Sequence, residues 1–348
     1  MLLTKFLFPV SILILVLFVL IGTTENEASF GADVDFMNGV SLVAPPDEFE
    51  ENPFDPIVDL NADWVAIMPY SFTSLQNPEI VFDSDRQWWG ETTSGTTKSI
   101  EYARERELKI LLKPHVWVRS QGWTGDFKLV DEDDWETWEE DYEKYILHYV
   151  EIADSLSVEA FCIGLEFKHV VRERPDFWID LIARIREIYD GKICYAANWD
   201  NFQNIPFWDL VDFIGINAYF PLSQKDNPAK DELIAAWKVE LQLLSKLADK
   251  YGKPIVFTEF GYRSIDKAAG NQWELEHHRQ YRGMPNFEVQ EIAYEALFET
   301  VWDRSWFRGG FLWKWYPNMD QKASRSNSDY TPQYKPAEKV IGRWYKKR

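Results

Sequence analysis

Short apolar runs alternate along the chain with longer segments in which apolar residues recur at helical spacing. Eight runs predict buried strands, at residues 39–44, 64–68, 109–114, 160–166, 192–198, 213–217, 254–259 and 310–315. The spacing predicts helices at residues 99–106, 135–154, 177–189, 231–251 and 289–302, and a last helix within 334–344. In the fourth of these helices Trp237, Leu241, Leu244 and Ala248 fall on one face.

Nearly continuous apolar strands that alternate with amphipathic helices indicate parallel strands covered by helices. Eight such units within residues 37–348 predict an α/β fold, a single-domain (β/α)8 TIM barrel, because that fold spans ~200 to over 400 residues. An open, doubly wound sheet is the alternative. It is disfavoured because no glycine-rich phosphate loop follows any of the strands.

The N-terminus carries an apolar run of 17 residues from Phe6 to Gly22, with Lys5 before it and Glu25 and Glu27 after it. This run is longer than a usual signal sequence core of ~7–15 residues and just short of a membrane span of ~18. Residues 1–22 are therefore predicted to be a cleaved signal peptide or a retained membrane anchor, with 23–36 as a linker. Either interpretation predicts an exported protein that is periplasmic, secreted or anchored to the membrane.

The charge balance limits the partners of the chain. Lys and Arg total 37 against 57 Asp and Glu, a net charge of −20, which disfavours nucleic acid, anionic lipid and polyanionic substrates. Membrane contact is expected only through the N-terminal segment, and a monomer is expected. Aromatic residues make up 16% of the chain, with 17 Trp, so some are expected to face a groove that binds sugar rings.

The chain has two cysteines, Cys162 and Cys194, both in apolar runs. Two cysteines exclude a disulfide framework and a zinc site built from cysteines. Two buried thiols are expected, with a single disulfide as the alternative. No metal or other cofactor is predicted.

Two glutamates, Glu166 and Glu259, end the fourth and seventh runs. Burial of an ionised carboxylate at the end of an apolar strand costs free energy, so its presence there points to a specific role. The site of a (β/α)8 barrel lies at the C-terminal ends of its strands. We expect these two strands on opposite sides of the ring, so that both side chains reach across the barrel mouth. Retaining glycosidases need such a carboxyl pair, ~5–5.5 Å apart. The alternative is that each glutamate only pairs with a nearby lysine.

Several segments give a specific resemblance. IGLEF, FTEFGY and FLWKWYP, at the ends of the fourth, seventh and eighth runs, look like clan A glycoside hydrolases. FMNGVSLVAP, LLKPHVW and DYTPQYKPAE together resemble glycoside hydrolase family 113, known mainly as β-1,4-mannanases. The resemblance implies that Glu166 is the acid/base and Glu259 the nucleophile. It also implies that Tyr219 hydrogen-bonds Glu259 and that Trp313 forms the platform beneath the cleaved sugar.

Other residues near the strand ends are candidates for binding the substrate. Trp117, Trp123 and Trp199 are either sugar platforms or packing residues. Lys113 and Asn198 are candidate donors to sugar hydroxyls, and Lys113 is equally well explained as a counter-charge for the glutamates. His115 either touches substrate or has a structural role. The long polar segment 264–286 is either a lid or subsite wall, or a surface excursion.

The sequence leaves open which sugar the substrate contains. Many clan A enzymes place Asn before the acid/base, where it contacts the sugar 2-hydroxyl, and this chain has Leu165 there. Mannose and glucose differ at that carbon, so a retaining β-mannanase is the prediction and a β-glucanase or xylanase is the alternative. A uronate-bearing glycan and a non-catalytic glycan-binding barrel are also considered. A metal-dependent barrel hydrolase is disfavoured, because the first run ends in Leu42-Val43-Ala44 rather than His-x-His.

Overall fold

The computed structural model describes residues 33–119, 123–274 and 281–348. Its strands are β1 (Met37–Leu42), β2 (Trp64–Ile67), β3 (Tyr70–Thr73), β4 (Lys109–Leu112), β5 (His115–Val118), β6 (Ala160–Leu165), β7 (Lys192–Asn198), β8 (Ile214–Asn217), β9 (Ile255–Phe260) and β10 (Phe307–Trp315). Its helices are α1 (Asp55–Asp59), α2 (Thr93–Arg104), α3 (Glu132–Ser155), α4 (Lys168–Glu173), α5 (Pro175–Ile188), α6 (Lys230–Tyr251), α7 (Phe287–Val301), α8 (Gln321–Ser326) and α9 (Pro336–Tyr345).

Eight parallel strands close into a barrel in the order β1-β2-β4-β6-β7-β8-β9-β10, with β10 returning to β1. Helices surround this ring, so the predicted (β/α)8 TIM barrel is confirmed. Helices and strands start and end within a few residues of the predicted bounds, except that α2 begins at Thr93, well before residue 99. Two 3₁₀ turns, Phe202–Asn204 and Trp208–Leu210, make the connection from β7 to β8 in place of a helix.

Side chains alternate between the two faces of the barrel wall, as parallel strands require. Small and large residues together fill the interior, among them Ala66, Cys162, Cys194, Trp64 and Phe311. Larger aliphatic and aromatic residues such as Ile163 point outward and pack under the helices. Cys162 and Cys194 face each other in register on β6 and β7, and both are buried free thiols.

Much of the tryptophan content lies in the layer between barrel and helices. Five tryptophans are fully buried: Trp138, Trp178, Trp208, Trp237 and Trp302. Three others are more than half exposed, namely Trp88 (52%), Trp117 (52%) and Trp273 (55%). Ordinary core packing therefore explains the first group but leaves the second group to be explained.

Two short strands that the sequence did not predict extend the barrel wall. Residues Tyr70–Thr73 and His115–Val118 follow β2 and β4 after Pro69 and Pro114, and they pair in parallel as a separate two-stranded sheet. Proline has no N–H to donate and so interrupts the strand ladder at these points. The wall thus continues above the barrel on one side of its mouth.

The end of the predicted linker packs against the domain, since Val34 is buried and Asp33 and Asp35 pair with Lys192 and Lys109. The predicted signal peptide or anchor, residues 1–22, lies outside the described residues. Within the described ranges, none of the helices combines the length and the apolar character needed to cross a bilayer.

Candidate active site

A cavity of about 720 Å³ opens at the C-terminal ends of the barrel strands, where sites of this fold are built. Its volume falls in the range of small-molecule sites. Both candidate glutamates line it, in a wall that is largely aromatic. The lining residues are Trp123, Asp126, Glu166, Asn198, Trp199, Asp200, Tyr219, Glu259, Gln272, Trp273, Trp313 and Tyr330.

Glu166 directly follows β6, where the chain leaves the barrel wall. Its φ of 55° lies in the left-handed region, which is uncommon for a residue with a side chain and, in a cavity, is a feature that functional sites share. Asn217 Nδ2 donates to Glu166 Oε1 (2.8 Å), and Trp123 Nε1 donates to Glu166 Oε2. Burial, and then the charge of Glu259, raise the pKa of Glu166 to about 7. A substantial fraction of this carboxyl is therefore protonated near neutrality.

Glu259 lies within β9, and its partners differ from those of Glu166. Lys113 Nζ is 2.5 Å from Glu259 Oε1, and Tyr219 donates its hydroxyl to Glu259 Oε2 over 2.8 Å. Burial and the charge of Glu259 raise the pKa of Tyr219 well above its usual value, so the phenol keeps its proton and remains a donor. The two carboxyls of the cavity thus differ in their partners. Glu259 has a cation and a phenol, and Glu166 has two neutral donors.

The two glutamates do not lie on opposite sides of the ring, so that expectation is wrong. Their strands, β6 and β9, are separated by only β7 and β8. Asn217 ends the intervening strand β8 and reaches Glu166, while Thr258 Oγ1 on β9 donates to Asn217 Oδ1 over 2.9 Å. A chain of two hydrogen bonds therefore ties the position of Glu166 to the strand that carries Glu259.

Seven of the ten predicted site residues line this cavity together: Trp123, Glu166, Asn198, Trp199, Tyr219, Glu259 and Trp313. Trp199 stacks on Trp273 with ring centroids 5.1 Å apart and planes 15° from parallel. Asn198 donates to Asp200 Oδ1 over 2.9 Å, and Lys168 pairs with Asp200 Oδ2 at 2.7 Å. The cavity therefore combines flat rings with hydrogen-bonding groups, which is the lining expected for a sugar.

The other three predicted residues do not line the cavity. Lys113 is 0% exposed, and its amine donates hydrogen bonds to Glu259 and to the carbonyl of Thr258. It is therefore the counter-charge of Glu259 rather than a contact for sugar hydroxyls. His115 is buried and stacks on Trp313 with planes 5° from parallel. Burial lowers the pKa of His115, which keeps the imidazole neutral. Trp117 lies in a second cavity.

Further residues in or behind the site were not among the ten individual candidates: Asp126, Asp200, Asn217, Thr258, Gln272, Trp273 and Tyr330. Asn217 ends β8 and Asp200 follows the end of β7, so their positions at strand ends could have identified them from the sequence. Trp273 and Gln272 belong to the long segment 264–286, and both form part of the cavity wall, whereas residues 275–280 of that segment lie outside the described ranges. Asp126 carried no signal in the sequence.

Comparison with known proteins identifies relatives of this chain. The model of Glycoside Hydrolase Family 113 matches residues 48–335. The GH113 β-mannanase AaManA from Alicyclobacillus acidocaldarius, solved in complex with ManMIm, superposes with a TM-score of 0.80 at 25% identity, covering 90% of this chain and 98% of that one. A GH113 β-1,4-mannanase solved as a complex gives 0.77 at 27% identity, covering 90% and 100%.

More distant structures share the fold. A β-glucuronidase from Ruminococcus gnavus superposes with a TM-score of 0.59 at 14% identity, covering 89% of this chain and 50% of that one. A comparison with curated proteins gave no match. Since the family model spans most of the sequence and the barrel superposes on solved members over nine-tenths of its length, the chain belongs to glycoside hydrolase family 113.

Proposed function

We propose that this protein cleaves β-1,4-linked mannan or its oligosaccharides with retention of configuration, with Glu259 as nucleophile and Glu166 as acid and then base. The observation that carries the proposal is the pair of glutamates in one cavity with contrasting partners. Glu259 contacts a buried lysine, and Glu166 has a pKa of about 7. A double displacement needs one ionised and one protonated carboxyl at the same time.

In the first step an oxygen of Glu259 attacks the anomeric carbon, while Glu166 donates its proton to the leaving glycosidic oxygen and the bond between that oxygen and carbon breaks. Lys113 and Tyr219 hold the attacking carboxylate in place. In the second step Glu166, now ionised, takes a proton from water, and that water displaces Glu259 from the sugar. Two inversions at one carbon give net retention.

The preference for a neutral mannan-type chain rests on two observations. The GH113 structures that cover at least nine-tenths of this chain are β-mannanases, at 25% and 27% identity. The described lining of the cavity contains four acidic residues and neither lysine nor arginine, which disfavours a uronate. Arg263, which follows β9, does not line the cavity: it is buried and donates to the carbonyl of Ser328.

The test combines a substrate panel with isosteric variants. Purified wild type is expected to release reducing ends from mannan faster than from β-glucan or xylan, and proton NMR of the first product is expected to show the β anomer. Glu259→Gln and Glu166→Gln are each expected to lower kcat on mannan at least a hundredfold. Glu173→Gln, in an exposed ion pair with Lys128, is the matched control and keeps wild-type turnover.

Three outcomes would contradict the proposal. An α anomer as first product would overturn the retaining mechanism, and Glu259→Gln turnover within tenfold of wild type would overturn the role of Glu259. Faster cleavage of β-glucan or xylan would overturn the choice of mannan and favour the corresponding glycanase.

We also propose that residues 1–22 direct the protein out of the cytoplasm. The apolar run between Phe6 and Gly22, with Lys5 before it, supports this proposal. Fractionation of cells that express the full chain is expected to place it outside the cytoplasm. Intact mass then decides between cleavage and anchoring, and recovery of the full chain in the cytoplasm would refute the proposal.

A further inference from the structure

A segment between α8 and α9 reaches the cavity although it lies outside the barrel strands. It comprises residues 327–335 and most of the DYTPQYKPAE motif, and we call it the support segment. Its residue Tyr330 lines the cavity and packs edge to face on the ring of Tyr219, with centroids 6.0 Å apart. Tyr219 in turn donates its hydroxyl to Glu259. The support segment therefore contacts the side chain that orients the proposed nucleophile.

Lys335 ends the support segment and is 3% exposed, although lysine is rarely buried without a specific partner. Its amine donates to Asn327 Oδ1 (3.2 Å), to the carbonyl of Asp329 (3.1 Å) and to Ser264 Oγ (3.1 Å). These three acceptors match the three N–H donors of an ammonium group. Burial lowers the pKa of Lys335 to about 7, and the charge of Asp329 opposes that shift. The amine is thus held inside the protein at a cost in free energy.

The three hydrogen bonds of Lys335 close the support segment into a loop and join it to the barrel. Two of the acceptors lie near the start of the segment and the lysine lies at its end, so the amine links both ends. The third acceptor, Ser264, follows β9, the strand that carries Glu259. Tyr330 lies within the closed loop. Its position relative to Glu259 therefore depends on the lysine.

Other contacts fasten the same loop independently of the lysine. The side-chain amide of Gln333 accepts from the N–H of Tyr316, just after β10, over 2.8 Å and donates to its carbonyl over 2.9 Å. The carboxylate of Asp329 accepts from the hydroxyl of Tyr316 over 2.6 Å. Arg263 donates to the carbonyl of Ser328 over 3.2 Å. Removal of the amine is therefore expected to shift the loop rather than to release it.

We propose that Lys335 is a positioning residue for Glu259. It holds the ring of Tyr330 against Tyr219 and thereby keeps the Tyr219 hydroxyl on the carboxylate. Lys335 does not line the cavity, so it acts through these two rings. A displacement of about 1 Å in the groups that orient reacting atoms can cost up to a hundredfold in rate. This proposal rests on the proposed function, because it takes Glu259 as the nucleophile.

The experiment is a double-mutant cycle between Lys335 and Tyr219. Lys335→Met keeps the apolar stem, and we expect it to lower kcat on mannohexaose about tenfold, the lower end of the loss from removing the hydroxyl itself. In the Tyr219→Phe background the hydroxyl is already absent, so the same substitution is expected to lower kcat less than about twofold. A general loss of packing would instead lower kcat equally in both backgrounds. Lys339→Met, at an exposed site on α9, is the matched control and keeps wild-type kcat.

A milder variant carries the test if Lys335→Met does not fold. Ser264→Ala removes the acceptor that follows β9 and leaves the buried charges unchanged. We expect it to lower kcat about threefold in the wild-type background and to have no measurable effect in the Tyr219→Phe background. Chemical denaturation of each variant checks that it is folded under the conditions of the assay.

Crystal structures of wild type and Lys335→Met separate this proposal from the proposed function. The distance between the Tyr219 hydroxyl and Glu259 Oε2, 2.8 Å with the lysine in place, is expected to lengthen beyond about 3.5 Å in the variant. An unchanged distance, or equal losses of kcat in both backgrounds, would overturn the positioning role and leave the proposed hydrolase intact. A longer distance in the variant, together with a wild type that cleaves no glycan, would support the positioning role and refute the proposed function.

Discussion

Substitution of Asn217 by alanine tests the electrostatic description of Glu166. The side chain of Asn217 is fully buried and donates one hydrogen bond to Glu166 Oε1, at 2.8 Å. A donor that faces a carboxylate stabilises the ionised form and lowers its pKa. Because such a bond to a charged group is worth about 1.5–3 kcal/mol, we expect its loss to raise the pKa of Glu166 from about 7 to roughly 8 or above.

The sign of the effect on activity follows from the role of Glu166. As the general acid it works in the protonated form, so kcat/KM falls as the pH rises through its pKa in the free enzyme. In wild type this alkaline limb is expected near pH 7. In Asn217→Ala the limb is expected at higher pH, while the maximum falls because the carboxyl is less firmly oriented.

The assay is the pH profile of kcat/KM on a soluble mannooligosaccharide, measured at temperatures well below the melting temperature of each variant. Thr258→Val is the control, because it removes the hydroxyl that donates to Asn217 Oδ1 and leaves the donor to Glu166 in place. Its limb is expected close to that of wild type. An alkaline limb in Asn217→Ala that lies at or below the wild-type value would refute this account of the site.

Three further substitutions are expected to act through named contacts. Trp123→Phe removes the donor to Glu166 Oε2 and should also move the alkaline limb upward, which the same pH profile checks; an unmoved limb would contradict it. Tyr219→Phe removes the hydroxyl at Glu259 and should lower kcat/KM roughly tenfold to a hundredfold, and steady-state kinetics within threefold of wild type would be evidence against that contact. Lys113→Met leaves the Glu259 carboxylate without its buried partner and should cost about 3–5 kcal/mol of unfolding free energy in chemical denaturation. Addition of Glu259→Gln to Lys113→Met should recover part of that loss, and a double variant no more stable than the single one would argue against the pair.

The order of the elements could be read from the sequence because each strand and helix of this fold has its own local pattern. The apolar run at β7 coincides with the observed strand, Lys192–Asn198. The two glutamates could be found because a charged side chain at the end of a buried apolar strand is unfavourable, and such exceptions are expected at functional sites. The small sheet of β3 and β5 was missed because each strand spans four residues and follows a proline.

The sequence by itself determined the ring of eight strands, the positions of the two glutamates at its mouth and the family resemblance, since local periodicity and strand-end chemistry carry that information. Tertiary structure alone decided which partner each carboxyl has. Lys113 and Glu259 are far apart along the chain and meet only when the barrel closes, and Asn217 reaches Glu166 from the strand in between. It also decided that Trp117 faces a separate cleft. Contacts between distant strands depend on register and closure, which no local pattern contains.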